Sequence, residues 1–134
     1  YEFLYHLCRS YSHQIPSASL TGSQRDLQRV THVMNWVKVH YPEPLSLETA
    51  ADSLALSKEY FCRLFKKYTG QTFLEYLNDV RTMHLYEDLQ NSDETITVLM
   101  EKNGLSNYKI FMRTFKKLYG STPQKMRSNR IRHV

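Results

Sequence analysis

The sequence predicts an all-α fold: two helix-turn-helix subdomains joined by a long linker helix, about seven helices in all, plus a short helix at the N-terminus. Three observations predict it. Apolar residues recur at steps of three and four along the chain, and no stretch alternates with the period of a strand. Gly and Pro number only four each in 134 residues, and several fall where a periodic segment ends. An internal duplication repeats short helix, tight turn and longer helix at an offset of about fifty residues.

The elements follow in order. Leu4, Leu7, Cys8 and Tyr11 have helical spacing, so residues 2–14 read as a short amphipathic helix. Ile15 to Ser23, with Pro16 and Gly22, reads as a linker. Residues 1–23 are therefore expected to be the remnant of a preceding region, and 24–134 the domain proper. Leu27, Val30, Met34, Val37 and Tyr41 mark a helix over roughly 24–40, stopped by Pro42 and Pro44, with Trp36 expected in the core. Ser46 caps a short helix to about Leu54. Ser57 caps the next, from Lys58 to Tyr68, and Gly70 stops it. This first helix-turn-helix occupies about 46–70. Thr72 opens the linker helix, about 72–90, with Phe73, Tyr76, Leu77, Val80 and Met83 on its buried side and Leu85 as a further candidate there. Thr95 begins a short helix ending near Asn103-Gly104, and Ser106 or Asn107 begins another that Gly120 closes. These form the second helix-turn-helix, about 95–120. Pro123 suits the first position of a last short helix.

Composition narrows the classes. A hydrophobic content of 41% suffices for a buried core. No apolar run approaches the ~20 residues of a membrane span, and no signal-peptide pattern is present. The chain opens at Tyr1, so it reads as a fragment of a longer protein. Cys8 and Cys62 read as free thiols, which suits the cytoplasm. Net charge is +5 but uneven: residues 105–134 hold eight Lys/Arg and no acid. A stretch of one sign repels itself unless a polyanion is present. The six histidines form no zinc spacing, and no phosphate loop or catalytic set stands out, so neither an enzyme nor a metal or other cofactor is expected.

The duplication carries the functional argument. Arg63-Leu64-Phe65-Lys66-Lys67 recurs as Arg113-Thr114-Phe115-Lys116-Lys117, and Phe61, Gly70 and Thr72 recur as Phe111, Gly120 and Thr122, all offset by fifty. Leu47, Leu56 and Ser57 match Ile96, Leu105 and Ser106 at forty-nine, so one extra residue lies in the second turn. At 100° per residue, Phe61, Leu64, Phe65 and Tyr68 share the inner side of the first long helix. Glu59, Arg63 and Lys66 lie opposite, flanked by Cys62 and Lys67. In the second, Phe111, Phe115 and Leu118 point inward, and Lys109, Met112, Arg113 and Lys116 outward. A helix fits the DNA major groove, where Arg donates twice to guanine O6 and N7 and lysines reach phosphates. A solvated basic face explains one such helix almost as well; two with matching faces favour DNA. A linker helix of about eighteen residues spans roughly 27 Å, which suits two readers one DNA turn apart. A dimerisation module built on Leu4, Leu7, Cys8 and Tyr11 and a non-specific binder of anionic surfaces or acidic partners are the alternatives. RNA is disfavoured, because no platform of exposed aromatics is evident.

The segments Leu47–Ala51 (LETAA), Leu56-Ser57, Tyr60–Gly70 (YFCRLFKKYTG), Phe73–Leu77 (FLEYL) with Arg81, and Phe111–Pro123 (FMRTFKKLYGSTP) resemble the AraC/XylS family of bacterial transcription regulators over about residues 25–130. The resemblance implies seven helices, of which the third and sixth read double-stranded DNA. The implied base-reading residues are Glu59, Cys62, Arg63, Tyr108, Lys109, Met112 and Arg113. The implied phosphate contacts are Ser57, Lys58, Lys66, Lys67, Asn107, Lys116 and Lys117. It implies that effector sensing and dimerisation belong to an N-terminal part truncated here, that the fragment is monomeric, and that RNA polymerase is a further partner. Departures from the family pattern are Met100 and Asn103 where Ala and Val are usual, Leu105 for Phe, and Met126 for Tyr. Asn103 sets a polar group near a core position and needs a partner there. Glu59 either accepts from cytosine N4 or repels the DNA backbone.

Overall fold

The computed structural model describes the backbone of residues 22–132 and the side chains of 22–129. The expected helix over 2–14, Cys8, and the linker as far as residue 21 lie outside the described residues. Within them the fold is all-α, with seven helices and no strand: α1 (Gly22–His40), α2 (Leu47–Ser53), α3 (Lys58–Thr69), α4 (Phe73–Asn91), α5 (Ile96–Lys102), α6 (Tyr108–Tyr119) and α7 (Pro123–Arg132). α1 begins two residues before its expected start. The Tyr68 hydroxyl donates to the Ser23 carbonyl at 3.3 Å, which ties down that first turn.

The helices gather into two compact units. One holds residues 22–40 and 45–75; the other holds 41–44 and 76–132. In the first unit the apolar stripe of α1 (Val30, Val33, Met34, Val37) is buried, as are Ala50 and Ala51 of α2 and Phe61, Leu64 and Phe65 of α3. Phe61, Phe65 and Phe73 form an aromatic triangle with centroids 5.7–5.9 Å apart. Such pairs add about 0.5–1.5 kcal/mol each beyond the area they bury. Trp36, expected in the core, is only half-buried and lies beside His40.

In the second unit Leu85 and Leu89 of α4, Leu99 and Met100 of α5, Leu105, and Phe111 and Phe115 of α6 make one core, with Tyr86, Ile96, Met112, Tyr119 and Met126 against it. The departures from the family pattern are absorbed there. Met100 and Leu105 are both 6% exposed. Asn103, 2% exposed, finds its partners: its amide donates to the Asp88 carboxylate at 3.0 Å and the Leu99 carbonyl at 2.8 Å. Arg127 of α7 donates to the carbonyls of Ser92 and Glu94, satisfying the turn between α4 and α5.

The two helix-turn-helix turns have the same hydrogen-bond pattern. After α2, the N–H of Leu56 reaches back to the Ala51 carbonyl and that of Ala55 to Asp52; after α5, Leu105 reaches Met100 and Gly104 reaches Glu101. Each is a Schellman stop, which needs a left-handed residue just past the helix. Gly104 fills that place with φ +79 and Ala55 with φ +56. For an L-residue this conformation costs about 1–2 kcal/mol. Ala55→Gly removes that cost against roughly 0.5–1 kcal/mol of extra chain entropy. The expected outcome is a net gain of about 0.5 kcal/mol or slightly more in urea unfolding, with an unchanged m-value.

Candidate nucleic-acid interface

α3 and α6 are built alike. Ser57 caps α3 by accepting from the Tyr60 N–H at 3.2 Å, and Asn107 caps α6 by accepting from the Ile110 N–H at 3.0 Å. Gly70 and Gly120 close the helices in the left-handed conformation. From cap to glycine the two segments, 57–70 and 107–120, register at an offset of fifty. The extra residue of the second turn is therefore Ser106, and of the two candidate caps it is Asn107 that serves.

Phenylalanines bury the inner side of each helix, so the polar side is left to solvent. Glu59, Cys62, Arg63, Lys66 and Lys67 on α3 are exposed, as are Tyr108, Lys109, Arg113, Lys116 and Lys117 on α6. Met112 departs from its expected outward place. It is half-buried against the core of its unit, because its position flanks Tyr119 and the aromatic side of the helix. Exposed Tyr60 and Ile110, equivalent under the duplication, widen the outer face beyond the expected set. The signal was available, since each lies only about 60° around the helix from Arg63 or Arg113.

The charges divide into those held within the fold and those presented outward. Lys58 lies 3.0 Å from Glu48 of α2. The Glu48 carboxyl is held below the ordinary carboxylate range, first by a backbone N–H and then by Lys58; Glu48 in turn raises Lys58. Lys117 donates to Asp79 of α4 at 3.0 Å, and that carboxylate is 2% exposed. Lys58 and Lys117, both expected on phosphates, thus have intramolecular partners that the sequence reading did not foresee. Lys67 rests 5.4 Å from the ring centroid of Tyr68. Beside it, Asp26, Tyr60, Arg63, Leu64 and Lys67 line an open cleft of about 260 Å³. There the Asp26 carboxylate accepts from the Tyr60 hydroxyl at 3.2 Å and from Arg29 at 3.0 Å, bracing α3 on α1. Ser57 and Asn107 accept through one atom in capping, which leaves the Ser57 hydroxyl proton and the Asn107 amide protons to donate outward. Among the described residues no group of three or more His, Cys, Asp or Glu is placed to hold a metal ion, and no helix is long and apolar enough to cross a membrane.

A family model described as a helix-turn-helix domain matches residues 50–129, more than half of the chain. The chain belongs to the AraC-type helix-turn-helix family. The AraC-type chain is 33% identical over 102 residues to an HTH-type transcriptional regulator of Staphylococcus aureus strain MSSA476, covering 76% of this chain and 14% of that protein. It therefore spans about a seventh of the length of such a relative. Among solved structures, the AraC-type fold is similar to a transcriptional regulator with an AraC-type DNA-binding domain from Chromobacterium violaceum (TM-score 0.68, 25% identity, 77% of this chain and 92% of that one). It is equally similar to the DNA-binding domain of AdpA, a global transcriptional factor, in complex with a target DNA (TM-score 0.67, 25% identity, 75% and 90%).

Proposed function

We propose that this AraC-type domain binds double-stranded DNA sequence-specifically and thereby places a transcription regulator on its target, with α3 and α6 reading adjacent major-groove segments. One observation carries the reading. Two capped helices of equal length present Arg63 and Arg113 at equivalent exposed positions, each followed one turn later by an exposed lysine, Lys66 or Lys116. Arg pairs with guanine in the major groove, and lysines neutralise phosphates. The likeness to AdpA, whose structure holds a target DNA, supports the same reading. Effector sensing and dimerisation then belong to other parts of a longer cytoplasmic protein, with RNA polymerase as a further partner.

Selection of binding sites from a random duplex pool tests this. Two enriched motifs about one helical turn apart are expected. Arg63→Ala and Arg113→Ala should each cost roughly 1–3 kcal/mol on the selected site and far less on random duplex. Equal losses on both duplexes would refute base reading.

The lysines give a separate test. Lys116→Ala should flatten the dependence of log K on log salt by about one. Lys117→Ala should leave that slope nearly unchanged, because its ammonium sits on Asp79. It should instead lower stability by about 1–3 kcal/mol, the usual cost of stripping a partner from a buried polar group. Affinity titrations at four salt concentrations, with a urea melt of each variant, separate the two lysines.

A further inference from the structure

The two reading helices differ most in charge at their first turns. α6 begins Tyr108-Lys109-Ile110 and carries no acid there, whereas α3 begins Lys58-Glu59-Tyr60. The Lys58 ammonium is matched by Glu48 at 3.0 Å, so the remaining charge at that end is the carboxylate of Glu59. Glu59 is exposed, and its carboxylate acts on the neighbouring Lys58 ammonium only as a secondary charge, after Glu48. It stands one helical turn before Arg63 on the same side of α3.

On the DNA-reading role proposed above, on which this inference rests, that carboxylate meets the major groove. Phosphates repel it. Guanine offers it only the acceptors O6 and N7, and thymine only O4 and a methyl group. Cytosine N4 and adenine N6 alone carry donors there. Adenine sets its amino group between its own N7 and the O4 of the paired thymine, so acceptors repel the second carboxylate oxygen on both sides; cytosine N4 has the O6 of the paired guanine on one side but only the C5–H on the other. We propose that Glu59 is a specificity-determining residue of the first reading helix: it selects a cytosine about one or two base pairs from the guanine read by Arg63 and rejects guanine and thymine at that position.

The plainer role for a glutamate in a first turn is to stabilise the helix dipole. The two roles separate experimentally, because a dipole effect is blind to the base. The selected duplex is prepared with each of the four bases at every position of the first half-site. Affinities are measured by fluorescence anisotropy for the whole 134-residue chain and its Glu59→Ala, Glu59→Gln and Arg63→Ala variants. Replacing the cytosine by guanine or thymine should weaken the unaltered chain about tenfold. Glu59→Ala should bind those duplexes within about twofold of each other and gain affinity for random duplex. Glu59→Gln should shift the preference toward adenine, whose N6 and N7 an amide pairs with. A Glu59→Ala variant that keeps the original base preference, or loses affinity equally on all four duplexes, would overturn the proposal. If the unaltered chain and Arg63→Ala bind every duplex alike, α3 reads no bases, and the failure belongs to the function proposed above as well as to Glu59.

Discussion

Gly104→Ala is expected to lower the unfolding free energy by about 3 kcal/mol, a loss of roughly 10–20 °C in melting temperature. Two costs add. The residue sits at φ +79, where an L-side chain costs about 1–2 kcal/mol. The added Cβ would also lie 2.9 Å from the Tyr41 carbonyl oxygen and 3.0 Å from both the Pro42 carbonyl oxygen and Arg81 Nε. None of these yields easily. The Arg81 guanidinium is held by hydrogen bonds to the Tyr41 and Glu43 carbonyls at 2.6 and 2.7 Å, so segment 41–44, Arg81 and Gly104 shift together or not at all. Overpacking of this kind costs about 1–3 kcal/mol. Gly70→Ala is the control. Gly70 has the same φ, but nothing lies within 4 Å of its Cβ position. A thermal melt in which the two variants fall equally would show that the close approach at Gly104 contributes nothing.

Phe115→Ala should cost more, about 3–5 kcal/mol. Its ring is fully buried and lies against Phe111, Tyr119 and Tyr86, with centroids 5.9, 4.9 and 6.2 Å away. Tyr86 and Tyr119 are themselves stacked at 4.1 Å, so the cavity cannot close without breaking that stack. Phe115→Leu keeps most of the volume and should cost roughly 1 kcal/mol or slightly more. Circular dichroism melts of the two variants check this; equal losses would mean that ring contacts, not volume, dominate.

Much of the fold was legible in the sequence because its signals are local. The stripe on α1, the caps at Ser46, Ser57 and Thr95, and the glycine stops at Gly70 and Gly120 each act within a few residues of their own position. The outward place of Arg63 and Arg113 follows from periodicity alone. What was not legible depends on distant partners. Asp79 lies thirty-eight residues before Lys117, and no local pattern says that one lysine of the Lys116-Lys117 pair is tied to a buried carboxylate. Lys58 likewise needed α2 to be placed before Glu48 came within reach. Ala55 hid its left-handed backbone because alanine carries no turn signal; only its alignment with Gly104 hints at it. Met112 shows the limit of a helical wheel, which gives the direction of a side chain and not how far a large aromatic core extends around to meet it.

The cap-to-glycine registry makes α3 and α6 exchangeable parts. Residues 57–70 and 107–120 begin on a side chain that accepts from the third helical N–H and end on a left-handed glycine, so a transplanted segment would bring its own boundaries. The inner Phe61 and Phe65 match Phe111 and Phe115, and the mismatches that touch a core are Leu64 against Thr114, Cys62 against Met112, and Thr69 against Tyr119, which stacks on Tyr86. On the DNA-reading role proposed above, a chimera with the α3 segment in the α6 position, with Met112, Thr114 and Tyr119 kept, would carry the first helix's base preference to the second half of the site. Joining Ser57 one residue earlier, in place of Ser106, would delete the extra residue of that turn and rotate the outer face by about 100°, so the point of junction decides whether such segments can be exchanged as modules.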